Sequence, residues 1–75
     1  MKTQDEQRIA IREKVGAMIK AEREQKGWTR YELAKRAGIG ETHLHNIEDG
    51  ELSVRLDIFN RILVALDIEV LMPLN

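Results

Sequence analysis

Apolar residues recur at helical intervals through most of this chain. Ile11, Val15, Met18 and Ile19 fall on one stripe, with Arg8, Arg12, Lys14, Lys20 and Glu24 mostly off it. That spacing predicts a first helix from about Gln7 to Lys26. Gly16 inside it costs roughly 1 kcal/mol relative to Ala, and would allow another helix to approach closely. Leu33, Ala34 and Ala37 give a slim apolar face to a second helix. Thr29 followed by Glu32 fits a capping box, in which the hydroxyl takes the backbone N–H three residues on and the carboxylate reaches back. Trp28 and Leu33 flank that cap as a hydrophobic staple. Gly38 ends the helix in a left-handed turn, and Ile39 folds back onto its end.

A third, short helix starts near Glu41 with Gly40 as cap, turns Leu44 and Ile47 inward, and stops at Gly50. Leu56, Phe59, Ile62, Leu63 and Leu66 define a fourth, with Ser53 or Arg55 as its cap. Beyond Leu66 the period becomes two: Ile68, Val70 and Met72 alternate with Glu69, Leu71 and Pro73. This reads as a β-strand of about 23 Å at ~3.3 Å per residue. A lone strand leaves its backbone groups unpaired, and the rest of the chain offers no second one. The simplest partner is the same strand of a second copy across a two-fold axis, with Ile68, Val70, Leu71 and Met72 at the dimer interface. A disordered tail or a fifth short helix also accommodates the segment. The expected organisation is a flexible N-terminus at 1–6, one domain at 7–67 and a dimerisation strand at 68–75.

The second and third helices are joined only by Gly38-Ile39-Gly40, which is a helix-turn-helix pattern. In that geometry the second helix of the pair enters the DNA major groove and its outer face reaches base edges. The outward residues are Glu41, Thr42, His45 and Asn46, with His43 near the backbone. Asn bonds adenine at two points, Glu accepts from cytosine N4, and Thr offers hydroxyl or methyl. Glu41 also suits a helix N-terminus electrostatically, so it serves equally as a helix-start residue. Thr29 and Arg30 stand where the second helix, the first of the pair, opens its N–H groups toward an anion. Arg30 is read as a phosphate contact, against an idle surface charge. Lys35 and Arg36 are read as a solvated face. Tyr31 either touches the DNA backbone or is idle.

Composition narrows the classes. Seventy-five residues make one domain, and a chain this short buries only about 60% of its unfolded surface, so oligomerisation is expected to support it. There is no cysteine, hence no disulfide and no thiolate zinc site. No apolar run approaches the ~20 residues of a membrane helix, and the first residues lack the apolar core of a signal peptide. The expectation is a cytoplasmic protein, nucleoid-associated when bound to an operator. Net charge is −1, but it is graded: +2 over residues 1–26, −1 over 27–50 and −2 over 51–75. Binding depends on where charge sits more than on its total.

Enzymatic and metal readings find little. His43 and His45 are two apart and point to different sides of a helix. Glu41, His45 and Asp49 share a face, read as solvated. No Ser/His/Asp arrangement or catalytic carboxylate pair stands out, so no catalytic residue, metal or cofactor is expected.

The run Arg23-Glu24-Gln25-Lys26-Gly27-Trp28-Thr29-Arg30-Tyr31-Glu32-Leu33-Ala34-Lys35-Arg36-Ala37-Gly38-Ile39 resembles the Cro/cI-type (Xre) helix-turn-helix family. Leu44, Ile47, Glu48, Asp49, Gly50 and the stretch Leu56 to Leu66 extend the resemblance to about residues 12–68. It implies a mainly α, four-helix, lambda-repressor-like domain. It places base reading on Glu41, Thr42 and His45, phosphate or base contact on Asn46, and a bracing ion pair on Arg23 and Glu48. The family often carries Gln where Arg30 and Glu41 stand, so its operator sequences do not transfer. The tail Ala65-Leu66-Asp67-Ile68-Glu69-Val70-Leu71 is similar to a narrower group, the HipB-type antitoxins. That likeness implies a C-terminal strand paired across a homodimer, repression of its own operon and neutralisation of a HipA-type kinase toxin. Three functions compete: a dimeric repressor of a palindromic double-stranded DNA operator, a toxin-neutralising antitoxin that autoregulates, and an adaptor that keeps the fold without binding DNA.

Overall fold

The computed structural model describes residues 3–68. They form four helices: α1 (Gln4–Gln25), α2 (Arg30–Ala37), α3 (Glu41–Glu48) and α4 (Leu56–Ala65). Helix α1 starts three residues before the expected Gln7. The reason is local: the Thr3 hydroxyl accepts from Glu6 N–H at 3.1 Å, and Asp5 and Glu6 place negative charge in the first turn.

The four helices stop in the same way. At each end a residue with positive φ donates to the carbonyl three back, and its successor donates to the carbonyl five back. The pairs are Gly27 to Glu24 with Trp28 to Arg23, Gly38 to Lys35 with Ile39 to Ala34, Gly50 to Ile47 with Glu51 to Asn46, and Asp67 to Val64 with Ile68 to Leu63. This double bond satisfies carbonyls that a helix end would leave open. The apolar successors Trp28, Ile39 and Ile68 then pack on the core. Among the described residues only Asp67 takes the left-handed conformation without being glycine (φ 57°).

The core gathers Ile19, Leu33, Ala34, Ala37, Leu44, Ile47, Ile62 and Leu66, with Val15, Met18, Leu52, Val54, Ile58 and Phe59 packed around it. Helix α1 packs on α3, and α2 packs on both α3 and α4. Gly16 lies at the α1–α3 contact: a Cβ there would stand 2.7 Å from the Glu48 carbonyl oxygen and collide with that of Ile47. A Cβ on Gly50 would meet Glu13 Cα at 2.9 Å. Main chain therefore touches α1 at the C-terminal end of α3.

Two core expectations fail. Ile11 is 61% exposed and Leu56 is 80% exposed. Helix α1 is about 33 Å long at 1.5 Å per residue, whereas its neighbours have eight to ten residues each, so its N-terminal part outruns them. Ile11 instead edges an open groove of about 300 Å³, together with Arg8, Arg12, Val15, Leu52, Val54 and Phe59. Leu56 is the first residue of α4, where the chain enters from Arg55, whose side chain makes no capping bond. Of the strand expected at 68–75, only Ile68 is described. It closes α4 and belongs to no strand. Val70, Leu71 and Met72 lie outside the described residues.

Candidate nucleic-acid interface

The turn between α2 and α3 works because Gly38 takes φ 71°, reversing the chain within one residue, while Gly40 opens α3 from extended backbone. Gly40 has no side chain to cap with, and Leu44 N–H bonds its carbonyl at 3.0 Å. The N–H groups of the first turn of α3 are thus free of any side-chain cap. Leu44, Ile47 and Glu48 point inward and fix the rotation of α3. That rotation leaves Glu41, Thr42 and His43 exposed, with His45 and Asn46 half-buried beside them. The five side chains share the outward part of one helix. His45 Nε2 stands 3.1 Å from Asp49 Oδ2, so its ring leans toward the helix C-terminus, away from Glu41. Among the described residues no three His, Asp or Glu side chains converge on a metal position.

At the start of α2, the Thr29 hydroxyl accepts from Glu32 N–H at 3.1 Å and also donates to Glu32 Oε1 at 3.3 Å. The carboxylate therefore meets the capping hydroxyl, where the box pattern had it reaching the backbone N–H of Thr29. Trp28 is half-buried against the core. The Arg36 guanidinium lies 4.2 Å from the centre of its ring and Lys26 Nζ lies 5.6 Å from it. Arg36 is exposed, in keeping with a solvated face, and its guanidinium also lies over an aromatic face, whose quadrupole attracts the cation.

Arg23 and Glu48 meet in a bidentate pair: Nε donates to Oε2 at 2.7 Å and Nη2 to Oε1 at 3.0 Å. Arg23 Nη1 also donates to the Trp28 carbonyl at 2.7 Å, tying α1 to the entry of α2. The hydrogen bonds it donates to Glu48 hold the guanidinium above its ordinary pKa, against the lowering effect of burial. Sequence reasoning missed the third member. Arg30 Nε donates to Glu48 Oε1 at 3.1 Å. One carboxylate thus joins α1, α2 and α3. The only signal for it was an arginine at the first position of α2, eighteen residues from an acid on another helix.

None of the described helices is long and apolar enough to cross a membrane. A family model described as helix-turn-helix matches residues 19–71. Antitoxin HipB of Escherichia coli (strain K12) is 38% identical over 50 residues, which cover 67% of this chain and 57% of HipB. The match thus spans little more than half of that relative. The turn geometry and the inward set Leu44, Ile47 and Glu48 fall within the matched region, and on these grounds the chain belongs to the helix-turn-helix family.

Proposed function

We propose that this protein is a sequence-specific regulator of transcription that binds a palindromic double-stranded DNA operator as a homodimer and represses its own operon. Membership of the helix-turn-helix family supports the coarser class, a DNA-binding regulator or antitoxin. The observation that carries the reading is the outward set of Glu41, Thr42, His43, His45 and Asn46 on a helix fixed from behind by packing. Asn46 and Thr42 supply base-edge donors and acceptors, and Glu41 favours a cytosine amine. Thr29 and Arg30 face the sugar–phosphate backbone from the start of α2.

Dimerisation in this reading falls to the segment 68–75, with Ile68, Val70, Leu71 and Met72 pairing across a two-fold axis. Two reading helices then sit about 34 Å apart and meet half-sites one turn apart. Antitoxin action is a second reading, favoured by the similarity to HipB. In it a cognate toxin is the main partner and DNA binding is autoregulation.

Selection of duplexes from a random pool, followed by anisotropy titration against salt, tests the first reading. A palindromic consensus and a linear fall of log affinity with log salt are expected. Failure to enrich any sequence while the protein is folded refutes it. Sedimentation of a chain lacking residues 68–75 tests the pairing: a truncated protein that is still dimeric refutes it. For the second reading, a neighbouring gene encoding a kinase-like toxin, with a stable complex on co-expression, is the expected result.

A further inference from the structure

Glu48 has a fully buried side chain and accepts from two guanidinium groups. One negative charge stands against two positive ones, so the trio carries a surplus positive charge. Exposure decides where that surplus resides. The Arg23 side chain is 9% exposed, and its Nε, Nη1 and Nη2 are all engaged. The Arg30 side chain is 32% exposed and gives only Nε to Glu48. Its two Nη groups make no hydrogen bond among the described residues. Arg30 is the first residue of α2, directly after its cap, where backbone N–H groups have no acceptor within the helix.

We propose that Glu48 is a positioning residue for DNA binding. It holds Arg30 by Nε and so presents Nη1 and Nη2 as a fixed fork to one phosphate oxygen pair. The inference rests on the DNA-binding reading above. The physical gain is in freedom already lost: a long side chain must surrender its rotamers to make a phosphate contact, and a tethered one has surrendered them on folding. Only arginine can do this. It has one nitrogen for the tether and two for the ligand in a planar fork, whereas the single nitrogen of lysine serves as a point charge. The sign of the effect is diagnostic. Glu48 is an acid beneath the proposed DNA-facing surface and repels phosphate, so by Coulomb forces alone its neutralisation should tighten binding. As a tether, its neutralisation weakens binding.

The test uses the full chain and a labelled duplex that the wild-type protein selects from a random pool. Arg30→Lys keeps the charge and loses the fork. It should bind about tenfold more weakly, as loss of a charge-assisted hydrogen bond does, and close to Arg30→Met. Wild-type affinity in Arg30→Lys overturns the proposal. Glu48→Gln should weaken binding in the wild-type background and cause no further loss in the Arg30→Met background. Equal losses in both backgrounds would mean that Glu48 acts through Arg23 and the fold alone, and would also overturn it. Where Glu48→Gln does not fold, the comparison of Arg30→Lys with Arg30→Met decides. In DNA-free protein, the Arg30 Nε–H resonance should be protected from exchange. Rapid exchange there shows the tether absent. If the wild-type chain selects no duplex, the DNA-binding reading fails and this inference with it; normal wild-type binding with an indifferent Arg30→Lys removes the tether only.

Discussion

Replacing Gly16 with alanine gives a sharp test of how α1 meets α3. On an isolated helix the change is favourable by roughly 1 kcal/mol, because glycine is a poor helix former. Here the added Cβ would stand 2.7 Å from the Glu48 carbonyl oxygen and closer still to that of Ile47. A carbon–oxygen contact normally settles near ~3.3 Å or more, so the two helices must part by more than half an ångström. Both obstacles are main chain at the end of a helix, and no side chain can swing aside. Overpacking costs about 1–3 kcal/mol, and rigid neighbours put this case at the upper end. After subtracting the propensity gain, Gly16→Ala should destabilise the protein by about 1–2 kcal/mol. In a domain of this size that lowers Tm by roughly 5–15 °C. Urea denaturation followed by circular dichroism, with the change read from the midpoint at constant slope, measures it. A gain in stability would show that the two backbones do not touch there. The shift also moves Glu48 and the reading face, so affinity for a selected duplex should fall well below the temperature of unfolding.

The remaining predictions concern single side chains. Thr29→Ala removes the hydroxyl that accepts from Glu32 N–H, and should cost about 1 kcal/mol in thermal unfolding; no change would mean that the cap contributes nothing. Asp67→Gly relieves a left-handed residue (φ 57°) and should raise stability by about 0.5–1 kcal/mol, seen as a higher urea midpoint. Asn46→Ala should leave the unfolding midpoint within about 0.5 kcal/mol of wild type while weakening a selected duplex by roughly 1–3 kcal/mol, and equal affinity would remove Asn46 from the base-reading set. Leu44→Ala empties a fully buried site and should cost about 2–5 kcal/mol, enough to unfold a marginal domain at 37 °C.

Periodicity made the four helices legible, and glycine made three of their ends legible, because both signals are local. Leu33, Leu44, Ile47 and Ile62 are buried as their spacing requires. Ile11 and Leu56 obey the same spacing and are exposed, since a period reports one face of a helix and not how far its neighbours extend. The start of α1 is not legible in the spacing because Thr3 caps from a stretch without apolar residues. Arg36 over Trp28 and Arg30 on Glu48 were hidden for another reason. Each depends on the relative placement of two or three helices, which spacing along one of them does not encode. The outward residues of α3 were legible, because the inward positions of Leu44 and Ile47 fix the rest of an eight-residue helix.

The way α3 is mounted has a practical consequence. Its seat is made by its rear residues, by glycine on α1 and by backbone near Gly50, whereas Glu41 and Thr42 are exposed. Chemistry at those two sites can be exchanged without disturbing the seat. Under the proposed function the scaffold is a socket with a replaceable reading head, and libraries confined to residues 41 and 42 are expected to alter sequence preference at little cost to folding.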